Sequence, residues 1–315
     1  MTQRSLQAFR LLAKLDWFRA KQNDGLHISV YEMEPDPEIV VRRRLEFDRI
    51  VVLIEKSAVS FLELGNTSFK FGQNREVTAT VEQRHATSSN AGKVIFLQPY
   101  KLDQQESEKR CDETAEQYLS LLISTNRRNI AYRHLFTNII GYEGDATYAQ
   151  GRRIRLPFAS PPPDLSENSL NLFITCERAL RSKDAAFQRR VELSLHWHMR
   201  GIRLDSVDSF LSLWIAIEAL SMDTSDIKPV NEALAAIYNL SYRDAAEKFA
   251  MGRVYGLRSD IVHKGRKDFI STGITDYLEC VYTDLLLNKL GITSLRRAEE
   301  FIRAHDFDLR SAIGS

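Results

Sequence analysis

Near residue 108 the apolar pattern of this chain changes period, and that change limits the folds open to it. From about residue 25 to 100 it consists of short β-rich runs: His27–Tyr31, Ile39–Val41, Ile50–Ile54, Ser60–Leu64, Thr78–Val81 and Val94–Leu97. Asp36-Pro37, Gly65-Asn66 and Ser88-Ser89-Asn90-Ala91-Gly92 fall between them as turn or loop residues, which predicts a mostly antiparallel sheet. Before it, Leu6, Phe9, Leu12 and Leu15 space out an amphipathic helix. From Glu108, Cys111, Ala115, Tyr118, Leu119 and Leu122 fall on one helical face, and a second helix is expected to run to Ile140.

Residues 1–150 are therefore expected to form an α+β domain, β-rich over 25–100 and helical over 108–140. Residues 151–165 contain Pro161-Pro162-Pro163 and a basic run, Arg152-Arg153-Ile154-Arg155, so they cannot continue a helix and are read as a linker. Helical spacing then dominates residues 166–305: Ser166–Arg200, Ser206–Ser221, Asn231–Tyr238, Ser241–Val262, Ile274–Leu290 and Ser294–Arg303, with a tail at 306–315. Short connections between such helices predict an all-α bundle with antiparallel neighbours.

The 315 residues, 43% apolar and 27% charged, suffice for one large or two ordinary cores. Lys and Arg number 43 against 42 Asp and Glu, so any basic binding site must be local rather than a property of bulk charge. Three dispersed cysteines, Cys111, Cys176 and Cys280, fit neither a disulfide framework nor a zinc pattern, and no metal or cofactor is expected. The opening Met-Thr-Gln-Arg-Ser-Leu lacks the apolar core of a signal peptide, and no apolar run spans a bilayer; a cytoplasmic protein without membrane contact is expected.

Chemistry concentrates in residues 257–265, Leu-Arg-Ser-Asp-Ile-Val-His-Lys-Gly. The guanidinium of Arg258 is always charged and matches phosphate oxygens, while the imidazole of His263 can move a proton near neutral pH. Ala250, Val254, Leu257 and Ile261 form the buried stripe of this helix, with Arg258 on its border. Five residues on an ideal helix diverge by about 140°, so cooperation within one chain requires the helix to end between the two. Gly265 offers that ending, and Asp260 is placed to orient the imidazole. In the preceding long helix, Val207, Phe210, Leu211 and Trp214 lead at the same spacing to Glu218, whose carboxylate should meet an arginine from a neighbouring helix. Pairing of Arg258 with Glu218 alone would also satisfy both side chains.

Three segments carry a family resemblance: Arg189-Arg190-Val191-Glu192-Leu193-Ser194-Leu195-His196-Trp197, Asp208-Ser209-Phe210-Leu211-Ser212-Leu213-Trp214-Ile215-Ala216-Ile217-Glu218-Ala219-Leu220, and Leu257 to Gly265. Together they make the stretch from about Leu170 to Leu290 similar to the HEPN superfamily, and within it to the Apea-like HEPN group of prokaryotic defence proteins. That family typically places an arginine, four to six residues and a histidine after a helix bearing an alanine, aliphatic, glutamate pattern; Arg258 and His263 take those positions here. Ser259 departs from the strongly polar residue common after the arginine, with Asp260 one place later. The resemblance implies an all-α HEPN-like bundle, a homodimer and a metal-independent endoribonuclease in which the RNA 2′-hydroxyl attacks its own phosphate. Arg258 and His263 would be catalytic, and Asp260, Ser259 and Glu218 supporting. A toxin or anti-phage effector fits that activity; a non-catalytic HEPN module binding RNA or nucleotide and dimerising is the alternative.

Arg152, Arg153, Arg155, Arg189, Arg190 and Lys264 are candidates for tracking an RNA backbone, because phosphate contacts supply most sequence-independent affinity. His196-Trp197-His198 does not suit a metal, since residues two apart on a helix point away from each other.

Overall fold

The computed structural model describes residues 25–33, 43–56, 60–71, 75–86, 92–101, 107–126, 132–141, 146–149, 153–154, 167–202, 206–222, 226–264 and 270–309. The chain divides into two compact units, one formed by residues 1–115 and 131–154 and the other by 116–130 and 155–315.

The first unit contains an antiparallel sheet of β1 (Gly25–Met33), β2 (Arg43–Glu46), β3 (Val51–Lys56), β6 (Gly92–Tyr100), β7 (Tyr132–Gly141) and β8 (Ala146–Ala149), in the order β2-β3-β6-β1-β7-β8. The short β9 (Arg153–Ile154) also pairs with β7, and β4 (Ser60–Phe71) and β5 (Arg75–Ala86) form a separate antiparallel pair. Alternation on β1 sends Leu26, Ile28 and Val30 to one face, where they join Val51, Leu97 and Leu135 in an apolar cluster. His27 points to the opposite face with Gln98, whose amide donates to the Cys111 carbonyl at 2.6 Å; the His27 ring lies 3.4 Å from Asp112.

Three expectations need correction here. The helix expected to run on to Ile140 is instead the strand β7. A bulge is the reason: Val30 pairs with Phe136 and Tyr31 with His134, so Leu135 is an extra residue that breaks the two-residue period and imitates helical spacing. Gly65-Asn66 is no turn but the middle of β4, opposite Val81 and Thr80. Residues 116–130, expected to share a domain with the sheet, belong to the helical unit. Ile39–Val41, the opening helix, Pro161–Pro163 and Gly265 lie outside the described residues.

Glu32 stands opposite both Lys93 and Arg133 across the sheet, with the fully buried Lys93 ammonium 3.1 Å from its carboxylate. Removing one partner of a buried ion pair costs about 3–5 kcal/mol. Glu32→Ala is therefore expected to destabilise this unit on that scale, read as a lowered urea midpoint by far-ultraviolet circular dichroism.

Nine helices are described: α1 (Ser107–Ser124), α2 (Glu167–Arg181), α3 (Ala185–Gly201), α4 (Ser206–Ser221), α5 (Lys228–Tyr238), α6 (Tyr242–Phe249), α7 (Met251–Lys264), α8 (Thr272–Lys289) and α9 (Arg297–His305). The stripe foreseen on α1 is buried throughout, and its second half joins the helical unit, where the Tyr118 hydroxyl donates to Glu177 at 2.9 Å. Two expected long helices are each broken. Asp184 ends the first by N-capping α3, its carboxylate accepting from the Ala186 and Phe187 amides at 2.9 Å, which holds its own pKa below the usual range. Ala250 ends the second by taking a left-handed conformation at φ 49° between α6 and α7.

α8 lies at the centre, buried without interruption from Asp276 to Leu287 and packed against α4, α5 and α9. Its Asp284 accepts from Tyr238, from Ser294 and from the backbone amides of Arg297 and Ala298 at the start of α9. α3 and α4 pack antiparallel: Ser209 near the start of α4 donates to the Gly201 carbonyl at 2.7 Å, while Arg190 in α3 reaches the other end of α4. Gly201 is required there, because a β-carbon would stand 2.6 Å from the Leu213 side chain. The tail expected from 306 begins packed, with Phe307 5.3 Å from Tyr277.

Candidate functional site

The site is built on α7, whose buried face consists of Met251, Val254, Leu257 and Ile261. Trp214 of α4 meets Tyr255 of α7 with ring centroids 6.0 Å apart, and one turn further along both helices Glu218 meets Arg258. The spacing that singled out Glu218 thus led to its partner. The carboxylate is not interior, however: both side chains are about a quarter exposed (25% and 27%) and the charges stand 3.6 Å apart. Such a pair is worth at most about 1 kcal/mol, so it aims the guanidinium without locking it.

α7 runs unbroken through Arg258 and His263 to Lys264, contrary to the expected break between them. Helical hydrogen bonding persists because no proline or glycine interrupts residues 257–264. The two side chains of one chain consequently diverge by about 140°. His263 falls in the last turn of α7, as expected, and is exposed there.

Asp260, expected to orient the imidazole, holds the Lys264 ammonium instead, at 2.6 Å across one turn. The more flexible lysine reaches the carboxylate that the shorter histidine side chain does not. His263 forms no hydrogen bond with any described residue, and Ser259 sits half-buried beside Arg258. Gly252, Gly256, Ser259 and His263 recur at intervals of four, three and four, so they share the outward stripe of α7. A β-carbon added at Gly252 or Gly256 would meet no atom within 4 Å.

The basic candidates separate. Arg190 is turned inward, its guanidinium donating to the Ala219 and Leu220 carbonyls at 3.3 and 3.4 Å, so it caps the C-terminus of α4 rather than facing solvent. That role is tertiary and leaves no local sequence signal. Arg189 is exposed, and Lys264 is exposed beside Asp260. Arg153 begins β9, while Arg152 and Arg155 lie outside the described residues.

His198 is buried, stacked on Tyr282 at 4.4 Å with Ser120 2.7 Å from its ring, so it is a core residue. His196 packs edge-on against Trp197. A second polar cluster escaped the sequence reading because α1, α2 and α3 each contribute to it: Tyr118 donates to Glu177, and Arg181 donates to Glu177 and Glu192 at 3.2 and 2.7 Å. Burial and the Glu177 charge push the Tyr118 phenol far above its usual range, and Arg181 joins the two carboxylates into a closed network.

All three cysteines are buried and none is in a disulfide, and burial pushes the thiols of Cys176 and Cys280 up to about 12, far from a reactive thiolate at neutral pH. Among the described residues no helix is long and apolar enough to cross a membrane, and no three His, Cys, Asp or Glu side chains converge as metal ligands. No protein-family model, curated protein or solved structure gives a significant match to this chain.

Proposed function

We propose that the helical unit is a metal-independent endoribonuclease of the HEPN type, in which Arg258 and His263 act on the RNA phosphodiester. The observation that carries this reading is the contrast on α7: a guanidinium aimed by a displaceable carboxylate and, five residues later in the last turn of the same helix, an imidazole exposed to solvent. The RNA 2′-hydroxyl gives up its proton to His263 as general base and attacks the adjacent phosphorus, expelling the 5′-oxygen, which takes a proton from water, while Arg258 stabilises the charge gathering on the phosphoryl oxygens. The products are a 2′,3′-cyclic phosphate and a 5′-hydroxyl, and DNA is not a substrate because it lacks the attacking group. A toxin or anti-phage defence effector working in the cytoplasm is the biological role that fits such an activity.

Because the two side chains of one α7 diverge, the reaction site is completed by a second copy, so that Arg258 of one chain works with His263 of another. The outward glycines support this assembly. A glycine inside a helix costs about 0.5–1 kcal/mol relative to alanine, yet Gly252 and Gly256 have room for a β-carbon, and bare backbone there lets another helix approach closely. Gly256→Ala is expected to stabilise the folded unit by about 0.5–1 kcal/mol. Gly256→Trp should leave the circular dichroism spectrum unchanged while blocking both dimer sedimentation and cleavage.

The direct test incubates the purified protein with single-stranded RNA in EDTA and identifies the product ends. Cyclic phosphate termini on RNA, with matched DNA left intact, support the reading; cleavage abolished by EDTA overturns it. RNA binding without cleavage would instead favour a non-catalytic binding and dimerisation module.

A further inference from the structure

Along the solvent face of α3, Arg189, Leu193, His196, Trp197 and Arg200 follow one another at helical spacing and occupy one stripe. Leu193 is 52% exposed, an unusual position for a leucine in a helix otherwise well buried on its other side. The Arg200 guanidinium lies over the Trp197 ring, 5.2 Å from its centroid, and His196 packs edge-on against the same ring. The stripe carries no carboxylate: Glu192 stands at its margin and is engaged by Arg181 at 2.7 Å.

The stripe also leads toward the candidate site. Arg190, beside Arg189, donates to the Ala219 carbonyl of α4; the residue before Ala219 is Glu218, and Glu218 pairs with Arg258. The Arg189 end of the stripe is thus the end nearest Arg258, and Arg200 lies about 16 Å further along the helix, at 1.5 Å per residue.

We infer that the outer face of α3 is a docking track for single-stranded RNA, with Arg189 and Arg200 on its phosphates and the Trp197–Arg200 stack, flanked by His196 and Leu193, receiving an unpaired base. Two exposed cations, with no carboxylate among the five residues of the stripe, supply the charge complementarity. An aromatic ring under a guanidinium gives a planar surface on which any base can stack, so the track holds RNA without reading sequence. This inference rests on the ribonuclease reading and adds how the substrate is held.

The test measures binding of the full chain to a fluorescein-labelled single-stranded RNA with 2′-O-methyl sugars, which cannot be cleaved by 2′-hydroxyl attack. Binding is expected to quench tryptophan emission, and Trp197→Phe to abolish most of that quench while retaining affinity. Trp197→Ala should weaken binding by about tenfold. Arg189→Glu with Arg200→Glu, compared at unchanged circular dichroism, should weaken it further and flatten the slope of log affinity against log salt by about 1.4.

If the wild-type chain binds the RNA but these variants bind equally well, the track is overturned while the ribonuclease reading stands. If the wild type neither binds nor cleaves RNA, both fail. If Leu193→Glu changes the sedimentation coefficient without changing RNA affinity, the face is an interface between copies and the inference is wrong.

Discussion

Replacing His263 by alanine is expected to lower RNA cleavage by about 10²- to 10⁴-fold, the usual contribution of a positioned acid–base group, while leaving thermal unfolding where it was. The two halves of that expectation have one origin. His263 is exposed and without a hydrogen-bond partner among the described residues, so removing its ring sacrifices no packing and leaves no buried group unsatisfied. Arg258→Ala should act similarly, losing only a partly exposed pair worth at most about 1 kcal/mol while removing the charge proposed to meet the phosphoryl oxygens. Arg258→Lys is a sharper variant: it keeps the charge but not the planar fork, so a substantial loss of rate would indicate that guanidinium geometry matters. If the proposed shared site is right, mixing inactive Arg258→Ala with inactive His263→Ala should restore part of the activity, because a mixed dimer would contain one complete site. Full activity in either single variant would remove these side chains from the mechanism.

The second large effect concerns the fold. Asp284→Ala is expected to destabilise the helical unit by about 3–5 kcal/mol, from the loss of a buried carboxylate and the stranding of its donors. Asp284 is wholly buried and accepts from the Tyr238 and Ser294 hydroxyls and from the Arg297 and Ala298 amides, at 2.5 to 3.0 Å. The two amides open α9, whose own N-cap, Arg296, supplies no side-chain capping hydrogen bond. A carboxylate on α8 therefore caps a helix to which it is not contiguous, and its loss undoes both the cap and the α5 contact through Tyr238. At the 2–4 °C per kcal/mol typical of 150–250 residues, the midpoint should fall by roughly 10 °C. Buried Trp214 reports the transition by fluorescence. Asp284→Asn should fall between the two, since its amide nitrogen offers a donor where acceptors are needed.

The sequence makes one stratum of this structure readable and hides another. The stripe of Val254, Leu257 and Ile261, the burial of α1 and the neighbourhood of Glu218 all follow from spacing on a single helix, and spacing is what a sequence displays. The bulge at Leu135 defeated the same logic, because one extra residue converts alternation into an apparent helical period. The helix break at Ala250 has no local signal either, since alanine is the strongest helix former; the break carries a tertiary contact instead, the Tyr277 hydroxyl donating to the Phe249 carbonyl at 2.9 Å. At the site, the paired elements were legible but the path of α7 through His263 was not. Whether a last turn continues for two or three residues depends on its C-terminal surroundings more than on its own side chains.

The enclosure of α8 has a consequence for how the helical unit can vary over time. With helices on several sides and no solvent face from Asp276 to Leu287, α8 has no opening motion smaller than that of the whole unit. In the single chain α7 keeps a flank exposed, so its last turn can loosen, shift or be altered while the centre stays closed. Candidate chemistry and foldability thus reside on different helices, and residues around His263 can be exchanged without risking the element on which the rest of the unit depends.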